Sequence, residues 1–106
     1  MFKSCEFVEG VNISYDDGRR IVVIDGHVVR FGFNQYTILR LLLEQREVED
    51  DAFSLALYRR EIDEDNRKLM TKDISRLRER LRMYDLGIRR IHGQGYRLVR
   101  LVAMTT

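Results

Sequence analysis

Lys68, Lys72, Arg76 and Arg80 recur at every fourth position of one segment, with Ser75 among them. Side chains four apart stand above one another on a helix, so such a row gathers its cations along one side. Ammonium and guanidinium groups at these positions make no nucleophile and no acid–base pair. Their chemistry is anion capture, and a row repeating once per helical turn suits an anion whose charge also repeats along its length. Arginine adds a rigid fork of donors that can meet a phosphate or a base edge in two parallel hydrogen bonds. Arg90, His92 and Gln94 follow in a stretch pinched by Gly93 and Gly95.

The elements that must position these residues can be read from periodicity. At 100° per residue, Met70, Ile74, Leu77 and Leu81 form one narrow apolar stripe, which leaves Lys68, Lys72, Ser75, Arg76, Glu79 and Arg80 on the other side. This predicts a helix over 66–85, starting near Asp65 or Asn66 and stopped by Gly87. Arg78 falls beside the stripe, at the core edge or paired with an acid. Ile88–Ile91 and Tyr96–Leu101 then read as a hairpin turning at Gly93 and Gly95, with Ile91, Tyr96 and Leu98 toward the core and Arg90, His92, Gln94 and Arg97 outward.

Upstream, 11–15, 20–24 and 27–31 read as strands of an antiparallel meander, the last two joined at Asp25-Gly26, with a further strand within Phe2–Val8. Tyr36, Leu39, Leu42 and Leu43 mark a first helix opened by Gly32 or Asn34, with Gln35 as a weak capping box. A second helix is expected from Asp50 or Asp51, either a good N-cap, to Arg60, with Phe53, Ala56 and Leu57 inward. The acidic connection Glu61–Asp65 leads into the third helix, where Asp65 can cap. The fold class is α+β in a single domain, 1–106: a meander over 1–31, three helices over 32–86 and a closing hairpin over 87–104.

Composition narrows the function. In 106 residues the formal charge is only +2, yet residues 66–106 carry eleven Lys/Arg against three Asp/Glu and residues 1–65 carry eight against fourteen. A polyanion responds to the local field, so the C-terminal portion is the candidate surface. The acidic remainder should face away from it or meet a basic protein. No apolar run approaches the roughly 20 residues that span a bilayer, and no secretory signal is visible. Cys5 stands alone, which suits a reduced, cytoplasmic setting. Two distant histidines, one cysteine and no phosphate-cradling glycine loop leave no basis for an enzyme, a metal or another cofactor. The basic face also lacks the interleaved aromatics that stack single-stranded bases.

The run Ile74-Ser75-Arg76-Leu77-Arg78-Glu79-Arg80-Leu81 together with Gly93-Gln94-Gly95-Tyr96-Arg97-Leu98 resembles the winged helix-turn-helix output domain of OmpR/PhoB-type response regulators. Ile13–Arg20 with Asp25–Phe31 resembles that family's opening sheet, and Tyr36–Glu44 its first helix, so the similarity spans nearly the whole chain. The resemblance implies sequence-specific binding of double-stranded DNA by a transcription regulator. Lys68, Lys72, Ser75, Arg76 and Arg80 would contact the major groove and phosphates, and Arg90, His92 and Gln94 would lie in the wing. It further implies a homodimer on tandem half-sites and RNA polymerase contact through the acidic loop 61–65. A winged helix repurposed for protein–protein contact, as an antirepressor or polymerase-associated factor, is the alternative. No receiver domain accompanies these motifs. The Met1 start and the absence of a linker favour a stand-alone protein over an excised output domain.

Overall fold

Asp25 and Gly26 both take positive φ, 48° and 86°, the geometry of a primed two-residue turn whose twist matches the strands it joins. The turn sets the register of β3 (Ile21–Ile24) on β4 (His27–Arg30), with Val22 opposite Val29. β2 (Ile13–Asp16) pairs with β3, and β1 (Lys3–Cys5) with β2, giving a four-stranded antiparallel sheet in the order β1-β2-β3-β4. The computed structural model describes residues 1–101. The hairpin's expected extension to residue 104 therefore lies partly outside the described residues.

α1 (Phe33–Glu44) begins after Gly32, which offers no side chain to cap it, so the expected Gln35 capping box does not form. Tyr36, Ile38, Leu39, Leu42 and Leu43 are buried in one core cluster with Tyr15, Val22, Ile24 and Val29 of the sheet. α2 (Asp50–Tyr58) is shorter than expected because Arg59 turns left-handed at φ 59° and ends it. Its cap is Glu49, not an aspartate, and only Phe53 of the three expected apolar residues is fully buried.

α3 (Glu64–Arg82) is held at its start by a reciprocal cap. Asp63 Oδ1 accepts from the Asn66 amide at 2.9 Å, and Asn66 Oδ1 accepts from the Asp63 amide at 2.7 Å. This corrects the assignment of the cap to Asp65 and leaves Glu64 and Asp65 as helical first-turn acids that complement the helix dipole. The C-terminal boundary is corrected too. The chain leaves the helix through Asp85, at φ 60°, while Gly87 lies inside β6 (Leu86–Ile91). A Cβ on Gly87 would stand 2.8 Å from Leu101 Cδ2, so glycine serves packing there instead of stopping the helix.

β6 and β7 (Gly95–Arg100) form the closing hairpin, and β7 also pairs with β5 (Val48–Glu49), an unexpected strand too short to show any alternation. Gly95 is explained by β5. A Cβ there would stand 2.6 Å from the Val48 carbonyl oxygen. The turn itself uses His92 and Gly93, at φ 47° and 70°, with the Gln94 amide donating to the Ile91 carbonyl at 3.0 Å.

Candidate nucleic-acid interface

Met70, Ile74, Leu77 and Leu81 are each at most 1% exposed, which fixes the rotation of α3 about its axis. The side turned outward carries Lys68, Lys72, Ser75, Arg76 and Glu79, all exposed. Among the described residues, no carboxylate lies within ion-pair distance of Lys68, Lys72 or Arg76, and none of the three donates a hydrogen bond to the protein. Glu79 dilutes this row without pairing to it. Leu69, about half exposed, borders it as an apolar neighbour.

The flanks of the same helix behave differently. Arg80 Nη2 donates to the Arg30 carbonyl at 2.8 Å and Nη1 to Gln35 Oε1 at 3.2 Å, while the guanidinium lies 4.3 Å from the centre of the Phe31 ring. The expectation that Arg80 joins the outward row is therefore corrected: 40° past Arg76, it reaches the outermost strand of the first sheet. On the opposite flank, Arg78 Nε and Nη2 both donate to the Ile88 carbonyl, at 3.1 and 3.0 Å. That carbonyl belongs to β6, the edge of the second sheet. One arginine from each flank thus occupies an edge carbonyl that would otherwise be open to another strand.

The hairpin is tied down by Asp50, a buried carboxylate at the first position of α2. Its Oδ1 and Oδ2 accept from Arg90 Nη1 and Nη2 at 2.6 and 2.8 Å, and Oδ2 accepts from Arg67 Nη1 of α3 at 3.0 Å. Arg90 also donates to the Gly93 carbonyl and lies over the Tyr96 ring at 4.6 Å. The Asp50 amide donates to the Gln94 carbonyl at 2.9 Å. The hydrogen bonds to Asp50 push the Arg90 guanidinium still further toward its charged form. Arg90 is exposed, as expected, but its guanidinium is held by Asp50 and is not free, which corrects its expected role as an open wing contact.

The reason lies in register. Arg90 stands opposite Tyr96, and Ile88 opposite Leu98, so Arg90 shares the inward face of β6. Arg89, opposite Arg97, takes the other face of the strand. With Arg78, Arg82, Ser75, Glu79 and Ile88 it lines a groove of about 470 Å³ between the later turns of α3 and the hairpin. Arg82 and Arg89 are the cations that periodicity missed. Strict alternation from Ile88 would have found Arg89, because a one-residue slip exchanges the faces of a strand.

Of the eight expected contact residues, Lys68, Lys72, Ser75 and Arg76 come together on one exposed face. His92 and Gln94 are exposed at the hairpin tip, where Gln94 lines a groove with Arg67 of α3, while Arg80 and the exposed Arg90 are hydrogen-bonded within the protein. Among the described residues no group of three His, Cys, Asp or Glu side chains is arranged to hold a metal ion, and no helix is long and apolar enough to cross a membrane. Comparison with known proteins finds no family model that matches the chain and no curated protein that matches it.

Proposed function

We propose that this chain is a winged-helix transcription regulator that binds double-stranded DNA sequence-specifically, with α3 in the major groove and the β6–β7 hairpin alongside it as the wing. The observation that carries the reading is the exposed, unpaired row Lys68, Lys72 and Arg76 on a helix whose Arg67, Arg78 and Arg80 are all engaged. A major groove about 12 Å wide admits an α-helix, and cations on its outward face displace condensed counterions from the phosphates. Lys68 and Lys72 supply phosphate contact, and Arg76 with Ser75 reads base edges. Arg82 and Arg89 supply further phosphate contact along the groove beside them, and His92 and Gln94 touch the backbone or minor groove at the tip. Two copies on tandem half-sites and a cytoplasmic location belong to the same proposal.

Contact with RNA polymerase through residues 61–65 would fall to the exposed Glu61, Glu64 and Asp65, because the Asp63 side chain is already engaged. Asp63 caps α3 and bridges Arg60 at 3.1 Å, and Glu64 and Asp65 occupy the first turn of the helix. One observation favours the alternative of a protein-contact module. Glu49 and Asp51 are exposed at the start of α2 beside the hairpin tip, where they would repel a phosphate. Low-salt retention on heparin separates the two readings, since a protein-only module flows through.

Selection of bound duplexes from a random pool tests the proposal directly. Enrichment of a defined half-site is expected. Arg76→Ala then relaxes preference at one position of that site, at a cost of about 1–3 kcal/mol. A pool that emerges unenriched, together with flow-through on heparin, refutes the reading.

A further inference from the structure

A hairpin attached to its domain by a short turn contributes to binding only if its tilt against the neighbouring helix is fixed in advance, since ordering it on contact subtracts from affinity. In this protein Arg78 holds the base of the hairpin and β5 pairs with β7, while the hairpin's outer half is tied to α3 through a carboxylate. Asp50 is buried, yet it receives hydrogen bonds from Arg67 in the first turns of α3 and a bidentate pair from Arg90 in β6, and its own amide binds the carbonyl of Gln94 at the hairpin tip. The side chain thus joins α2 to α3 and to β6, and the backbone amide of the same residue joins α2 to the hairpin tip. Arg90 is held on its other faces by the Tyr96 ring and the Gly93 carbonyl, so its fork cannot turn away from Asp50 without leaving the hairpin's inner face.

We infer that Asp50 is a positioning residue: it sets the β6–β7 hairpin against α3 and thereby preorganises the duplex-binding surface. This rests on the duplex reading, but its sign is independent of simple electrostatics. Asp50 is an anion beside a cationic surface, so neutralising it strengthens duplex attraction if charge is all it supplies. If it positions the hairpin, the same change weakens binding. Arg90 offers a second handle with no change of charge. Lysine would serve a phosphate contact as well as arginine, but it cannot reproduce the two-pronged grip on Asp50.

The test compares the wild type with Asp50→Asn and Arg90→Lys, each first checked for a cooperative melt. Hydrogen exchange on the free proteins reads the hairpin, and titration of a random duplex of about 20 bp with hydroxyl-radical footprinting of a selected duplex reads binding. Faster exchange of the residue-50 amide, which donates to the Gln94 carbonyl, affinity lowered roughly three- to tenfold as for one lost contact, and loss of protection on the hairpin side alone are expected in both variants. If Asp50→Asn does not fold, Arg90→Lys carries the same comparison. Tighter binding with the tip still protected, or faster exchange with footprint and affinity unaltered, overturns the inference. A wild type that binds no duplex at low salt defeats the duplex reading instead, and exchange alone then decides whether Asp50 holds the hairpin.

Discussion

Two sets of cations share α3, and they differ in what meets them. Lys68, Lys72 and Arg76 point away from the stripe Met70–Ile74–Leu77–Leu81 and find no partner among the described residues. Arg67, Arg78 and Arg80 lie on the flanks, where Asp50, the Ile88 carbonyl and the Arg30 carbonyl stand within hydrogen-bond distance. Residue type does not separate the sets; angle around the helix does. Rotation by less than half a turn decides whether a guanidinium ties two elements together or remains available to something outside the molecule. The contrast also shows how two of the five arginines of this helix occupy a carbonyl on β4 and one on β6, an edge strand of each sheet.

Substitutions on the flanks should therefore cost stability, and those on the outward row should not. The largest stability effect is expected at the start of α3. Asn66 is 1% exposed, completes the reciprocal cap with Asp63, and donates to Ser54 Oγ at 2.9 Å and to the Glu61 carbonyl at 3.0 Å. Asn66→Ala should destabilise by about 2–3 kcal/mol in denaturant unfolding, because the cap is lost and buried partners are left unpaired. A loss below half that value would mean the cap does not anchor the helix.

Arg80→Ala should cost about 1 kcal/mol, for the Arg30 carbonyl and the Phe31 ring together, discounted for its partial exposure. Its affinity for a random duplex should change little. A large loss of affinity without a loss of stability would move Arg80 from the flank set to the outward one. The comparison would then fail at its sharpest point.

The smallest effect is far from either set. Tyr36 donates to Asp17 Oδ1 at 2.6 Å, and this hydrogen bond chiefly, with Lys3 assisting, holds the Asp17 carboxyl below its ordinary pKa. A folded pKa below the unfolded one gives stability that is present above the unfolded value, about 3.9, and lost as pH falls through the folded value. Asp17 is substantially exposed, so only about a few tenths of a kcal/mol is at stake. Tyr36→Phe should narrow its stability gap to the wild type as pH falls below about 4, without altering duplex affinity at neutral pH. A gap that stays constant across that range would remove the Asp17 hydrogen bond as its source.

The sequence disclosed the parts of this fold that repeat. The α3 stripe, the Asp25-Gly26 turn and the core positions of α1 all follow from period or from a dipeptide with one physical reading. What stayed hidden depends on contacts between distant residues. β5 is two residues long and is recognisable only from its partner, and Gly95 looks like a turn glycine until Val48 is placed against it. Asp50 read as a helix cap because nothing in its surroundings along the chain announces Arg67 or Arg90. Arg80 was misassigned for a subtler reason. A four-residue row drifts 40° per step, so its fourth member leaves the face that its first three share. Arg90 was misplaced by one position of strand register, an error that alternation from Ile88 would have prevented.

The measurement closest to the central claim is the salt dependence of random-duplex binding for the wild type beside Lys68→Ala/Lys72→Ala/Arg76→Ala. If the outward row meets phosphates, the wild type should bind at low salt, and the logarithmic slope of affinity against salt should shrink by about 2–3 in the variant, close to one per phosphate contact removed. The melting temperature should remain that of the wild type. An unchanged slope and affinity would contradict the account and show that these three cations are ordinary solvated surface.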